Sequence, residues 1–95
     1  MATYVAANPA TVVREIFREV KEIEQVYLSH DGARGVSALV VIDAKDYAVL
    51  DRIFQHEQTI IDAMPGTPVN FDIVIREGRP LNEVVTPHGR PILQR

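Results

Sequence analysis

Asp72, Ser37 and Arg34 are the residues of this chain whose types and expected positions could serve a ligand. Asp72 falls in an alternating apolar segment that reads as a strand, and Ser37 falls in the apolar run that would lie beside it. A carboxylate on the open face of a sheet can hold a cation. A lone carboxylate is a poor divalent site, however, because magnesium chemistry usually uses two or more together with substrate phosphates. A phosphate pocket would further need Arg34, Arg76 or Arg79 to converge near Asp72. The plainer reading of Asp72 is a solvated strand aspartate.

Glu57 is the anomaly of the sequence. It follows Ile53 and Phe54 by four and three residues and precedes Ile60 and Ile61 by three and four, so helical spacing puts it among apolar side chains. A buried carboxylate is costly unless paired or neutral, which makes Glu57 a buried polar candidate with an expected polar partner. A slight rotation of the helix, or a place at the edge of the core, would explain it more simply. His30, His56 and His88 have no ligand spacing, and no metal site is expected. With no cysteine, no assignable Ser-His-Asp set and no glycine-rich phosphate loop opening a helix, neither nucleophilic catalysis nor a cofactor has residues to rest on.

The elements that must position these residues are legible from periodicity. Asn8 suits an N-cap and Pro9 a first helical position, so a first helix is expected over residues 9–23. Its apolar face would be Val12, Val13, Ile16, Phe17, Val20 and Ile23, with Arg18 and Glu22 paired on the other. A strand follows over residues 25–29, with Val26 and Leu28 opposed to Gln25, Tyr27 and Ser29. The loop Asp31-Gly32-Ala33-Arg34-Gly35 reads as a hairpin turn, and its G-x-x-G spacing as turn chemistry rather than an RNA clamp. The second strand, residues 36–42, alternates so little that it suits the centre of a sheet.

Asp43 is expected to cap a second helix over residues 45–63, with a stripe of Tyr47, Leu50, Ile53, Phe54, Ile60, Ile61 and Met64. Met64-Pro65-Gly66-Thr67-Pro68 ends it, and residues 69–76 form a third strand. The chain thus reads as a core domain over residues 1–78 and an irregular tail over 79–95 that packs on the core or on a partner. The fold class is α+β: a two-layer α/β sandwich in α-β-β-α-β order, with a three-stranded mixed sheet and two helices on one face. The other face would carry Tyr27, Ser37, Leu39, Val41, Asn70, Asp72 and Val74.

Leu28 and Ala33-Arg34-Gly35, in this element order, resemble the minimal nucleotidyltransferase domains of the polymerase-β superfamily. The resemblance covers residues 10–76 in pattern. Such domains carry a Gly-Ser turn, which would fall on His30 and Asp31 here, and an Asp-x-Asp pair, which would fall on Gly35 and Ser37. Only Asp72 fits a third carboxylate. The resemblance therefore implies a relative without the paired carboxylates that two-metal phosphoryl transfer requires.

Charge and composition narrow the function further. The net charge is −3, and residues 1–75 hold six Lys/Arg against eleven Asp/Glu, whereas residues 76–95 hold four Arg against two Glu. An acidic body repels phosphate backbones, which argues against nucleic-acid binding. No apolar run reaches the ~18 residues of a membrane span, and no secretory signal is read, so a cytoplasmic protein is expected. The expectation is a small non-catalytic interaction or regulatory domain, forming a homodimer or meeting an unidentified protein partner. The alternative is a nucleotide- or small-ligand-binding remnant that uses Asp72, Ser37 and Arg34.

Overall fold

A computed structural model of the chain describes residues 8–30, 35–84 and 89–95. Arg34 and residues 31–33 of the hairpin loop, together with Val85 and His88, lie outside the described residues. The elements are α1 (Pro9–Phe17), β1 (Ile23–His30), β2 (Val36–Ile42), α2 (Tyr47–Ala63), β3 (Val69–Ile75), the single turn α3 (Leu81–Val84) and β4 (Leu93–Gln94). The class is α+β and the sheet is mixed, but it has four strands rather than three, in the order β3-β2-β1-β4. The fourth strand comes from the segment expected to be irregular: Leu93 and Gln94 pair antiparallel with Val26 and Gln25. Hydrogen bonds from Ile92 N to Val26 O (2.7 Å) and from Arg95 N to Glu24 O (3.1 Å) extend the pairing.

The Asn8 side chain caps α1 by accepting from Ala10 N at 2.8 Å. The helix ends at Phe17, six residues short of expectation, and β1 starts at Ile23. Val20 and Ile23 are fully buried all the same, one from a turn and the other from the start of the strand. The Arg95 guanidinium donates to the carbonyls of Arg18 (2.6 Å) and Val20 (3.3 Å), so the end of the chain ties down the C-cap and the turn that follow the short helix. Because the helix stops early, the expected Arg18–Glu22 pair does not form. Arg18 meets Glu15 at 3.3 Å, and Glu22 meets Arg52 of α2 at 2.6 Å. That guanidinium holds the Glu22 carboxyl below its usual range.

β1 and β2 are antiparallel, with His30 opposite Val36, and β2 and β3 are parallel, with Leu39 opposite Asp72. Gly35 must be glycine. Its φ is +92°, and a Cβ would land on the Pro68 carbonyl oxygen, which accepts the first hydrogen bond of the β2–β3 ladder from Val36 N (3.0 Å). The cap of α2 is Asp46, not Asp43: Asp46 Oδ1 accepts from Ala48 N at 2.9 Å and from Val49 N at 3.4 Å. Asp43 instead accepts from Gly78 N at 2.8 Å and lies 3.4 Å from Arg76, whose guanidinium also grips Glu24 at 2.9 and 3.0 Å. This ties the end of β3 to the start of β1.

α1 and α2 pack on one face of the sheet. The core there holds Val13, Phe17, Ile23, Val26, Val40, Ile42, Ile53 and Ile60, all essentially inaccessible to solvent. Phe71 sits opposite the small Ala38 and meets Phe17 edge to face, with ring centroids 5.9 Å apart.

Candidate functional site

The sheet face away from the helices is organised in cross-strand rows. Register places Gln25, Val41 and Val74 in one row, Tyr27, Leu39 and Asp72 in the next, and Ser29, Ser37 and Asn70 in the third. The apolar end is closed. Val41 is fully buried and Tyr27 nearly so, and Leu39, Val74 and Leu81 of α3 pack against them. The Tyr27 hydroxyl donates to Gln25 Oε1 at 2.6 Å, which satisfies its polar tip at the edge of this small cluster.

The polar end is open. A groove of about 170 Å³ is lined by Tyr27, Ser29, Ser37, Leu39 and Asp72, with Leu28 and Ala38. The structure therefore brings together two of the expected ligand residues, Ser37 half-buried and Asp72 exposed, one row apart. Arg34, the third, is outside the described residues. Arg76 points elsewhere, into its pairs with Glu24 and Asp43, and Arg79 donates to the carbonyls of Arg76 and Ile75. Among the described residues no three His, Asp or Glu side chains gather as a metal site. The groove thus offers one carboxylate and two serine hydroxyls.

The second candidate surface lies on α2. The sheet-facing residues are Val49, Ile53, Ile60 and, just past the helix, Met64. Tyr47, Phe54 and Ile61, expected in the core, are instead 71%, 52% and 44% exposed. They recur every seven residues on one flank, with half-buried Leu50 and Glu57 between them. The opposite flank faces α1: Arg52 reaches Glu22, His56 Nε2 lies 3.7 Å from Glu19, and Thr59 and Ala63 border a broad groove with Val12 and Ile16. The apolar stripe is therefore on the side of α2 turned away from α1. Lys45 lies over the Tyr47 ring at 5.7 Å, partly shielding that end.

Glu57 sits within this stripe. It is half-buried, and loss of water raises its carboxyl above the usual range. Among the described residues it has neither a hydrogen-bond nor an ion-pair partner, so the partner expected from sequence is not found there. The signal that sequence reasoning missed is that α2 carries two overlapping apolar stripes, 49-53-60-64 and 47-50-54-61, only one of which can face the sheet.

Comparison of the chain with protein-family models, curated proteins and solved structures finds no match. No helix among the described residues is long and apolar enough to cross a membrane.

Proposed function

We propose that this chain is a small non-catalytic interaction domain that works by self-association. The observation that carries this reading is the stripe of Tyr47, Phe54 and Ile61, exposed at the flank of a well-packed helix. Scattered apolar side chains are ordinary on a protein surface, but a row of large ones on a single helical flank is typical of a contact surface. Beside it, β3 has a hydrogen-bonded neighbour on one side only among the described residues, so one edge of the sheet is open as well.

A second reading has one observation in its favour: the groove that brings Ser37 and Asp72 together. It would make the chain a small-ligand-binding remnant of a nucleotidyltransferase-like domain. At about 170 Å³ the groove is smaller than the ~300–1,000 Å³ of usual small-molecule sites. It also lacks a described cation to meet phosphate. The interaction reading is therefore preferred.

The test pairs two measurements. Replacing both Phe54 and Ile61 with Ser should leave a folded protein, because both side chains are already half in water, and should reduce its mass in light scattering to that of a monomer. Thermal scans with nucleotides and magnesium should show no shift. A ligand present at 100-fold its dissociation constant would add about 2.7 kcal/mol, which is easily seen. A nucleotide-dependent shift that disappears in Asp72→Ala would reverse the preference.

A further inference from the structure

The self-association reading leaves open how two copies meet, and the backbone of β3 supplies an answer that rests on that reading. Pro68 O accepts from Val36 N, and Arg76 N donates to Ile42 O. In a ladder of this register the even-numbered residues of β3 turn their backbone groups toward β2. The odd-numbered ones, Val69, Phe71, Ile73 and Ile75, turn theirs to the free edge. Among the described residues nothing pairs with that edge. Over its seven residues, VNFDIVI, β3 has no proline, no lysine and a single charge, so it lacks the usual devices that keep edges apart. All four odd-numbered side chains are only half-buried beneath the helices. Residues Arg14, Glu15 and Arg18 of α1 border Leu93 and Gln94 of β4, at the opposite edge of the sheet, so the flank of α2 turned away from α1 lies toward β3.

A second copy is the occupant such an edge fits, because two-fold symmetry brings its outward backbone groups opposite an identical set. Three antiparallel registers satisfy that condition while pairing at least five of the seven β3 residues, with Phe71, Asp72 or Ile73 on the two-fold axis. With Asp72 on the axis, two carboxylates face each other directly, which is destabilising. With Ile73 on the axis, Asp72 faces the second copy's Val74, and Asn70 faces an Arg76 already held by Glu24 and Asp43. With Phe71 on the axis, Asp72 faces the second copy's Asn70, and the reverse contact forms by symmetry. Of these three, only this register gives the strand's one charge a hydrogen-bonding partner on both sides of the axis.

We infer that the chain dimerises by antiparallel pairing of β3 with the β3 of a second copy about Phe71, with Asp72 and Asn70 setting the register. The two four-stranded sheets then run on as one of eight strands. The α2 flanks bearing Phe54 and Ile61 border the new seam on the helical side.

Charge changes at Asn70, which is exposed in the free protein, read the register directly. Sedimentation equilibrium should show Asn70→Lys tightening the dimer and Asn70→Asp weakening it. Two symmetry-related pairs change in each case, so the expected effect is about 2- to 30-fold in the dissociation constant. Opposite signs would place Ile73 on the axis and overturn the proposed register. No effect from either variant would overturn edge pairing about Phe71 while leaving self-association intact. A monomer at every concentration would instead remove the self-association reading itself. Hydrogen exchange on the unmodified protein gives an independent check. Amides of Val69, Phe71 and Ile73 should gain protection as the dimer forms, whereas those of Asn70, Asp72 and Val74 should be protected throughout. Equal protection of both sets in the dilute and the concentrated protein would also contradict the proposal.

Discussion

Glu57 gives the sharpest test of how α2 sits on the sheet. Its carboxyl is half-buried among Ile53, Phe54, Ile60 and Ile61, and its affinity for a proton is raised by lost hydration. A carboxylate whose folded pKa is raised binds its proton more tightly in the native state than in the unfolded state. Ionising it therefore costs stability at pH values above the folded pKa. The cost fades as pH falls through that pKa and is gone below the ordinary value of 4.5. Glu57→Gln, which keeps the shape and removes the charge, should be more stable than the parent at pH 7, with the difference closing toward pH 4.5. Glu57→Leu should gain more. Full burial of a leucine side chain is worth about 1.5–3 kcal/mol, and a half-buried site returns roughly 1 kcal/mol of that. Leu and Glu have nearly equal helix propensity, so the helix itself contributes little. For a domain of this size the gain is about 4–8 °C in Tm. Thermal unfolding by circular dichroism at several pH values, and at two protein concentrations, measures both effects apart from association. A Glu57→Leu variant less stable than the parent at pH 7 would refute the reasoning, because it would mean that the carboxylate has a partner whose loss outweighs the gain.

Gly35→Ala should cost about 2–4 kcal/mol in chemical denaturation, because the positive φ is strained for alanine and the new methyl displaces the Pro68 carbonyl from the β2–β3 ladder; a loss under 1 kcal/mol would contradict that geometry. Truncation after Gly78 should lower Tm, since it removes the β4 pairing with β1 and uncovers Tyr27 and Val41 beneath Leu81; an unchanged melting curve would show that the last 17 residues contribute nothing. Under the polymerase-β-like resemblance Gly35 and Ser37 fall where paired aspartates would be needed, so no nucleotidyl transfer is expected with any acceptor. Transfer of labelled nucleotide that is lost on Asp72→Ala would overturn that expectation.

Much of the fold is written in local pattern. The alternation in β1, the apolar run of β2, the turn chemistry at Met64–Pro68 and the alternation in β3 place those strands and set which residues face the helices. What escapes is decided by competition between patterns that each look sufficient. Val20 and Ile23 continue the helical spacing of α1, yet they are buried by a turn and a strand, because β1 extends back to meet Ile42. Asp43 and Asp46 are both fit to cap α2, and the choice is made at long range, by Gly78 and Arg76 drawing Asp43 away. The two apolar stripes of α2 lie roughly a quarter turn apart on the helix, and the one with Val49, Ile53 and Ile60 is buried. β4 is too short to carry a periodic signal. Of the open face, the residues were legible and their rows were not: which strand positions stand opposite each other is set by the His30–Val36 and Leu39–Asp72 registers, which no local pattern encodes.

The central claim is that the exposed flank of α2 and the free edge of β3 exist to meet another copy of the chain. Sedimentation equilibrium of the unmodified protein over a wide concentration range tests it most directly. A chain of 10.6 kDa should approach twice that mass as concentration rises, in a single reversible monomer–dimer equilibrium. A mass that stays at 10.6 kDa up to millimolar concentration would contradict the account.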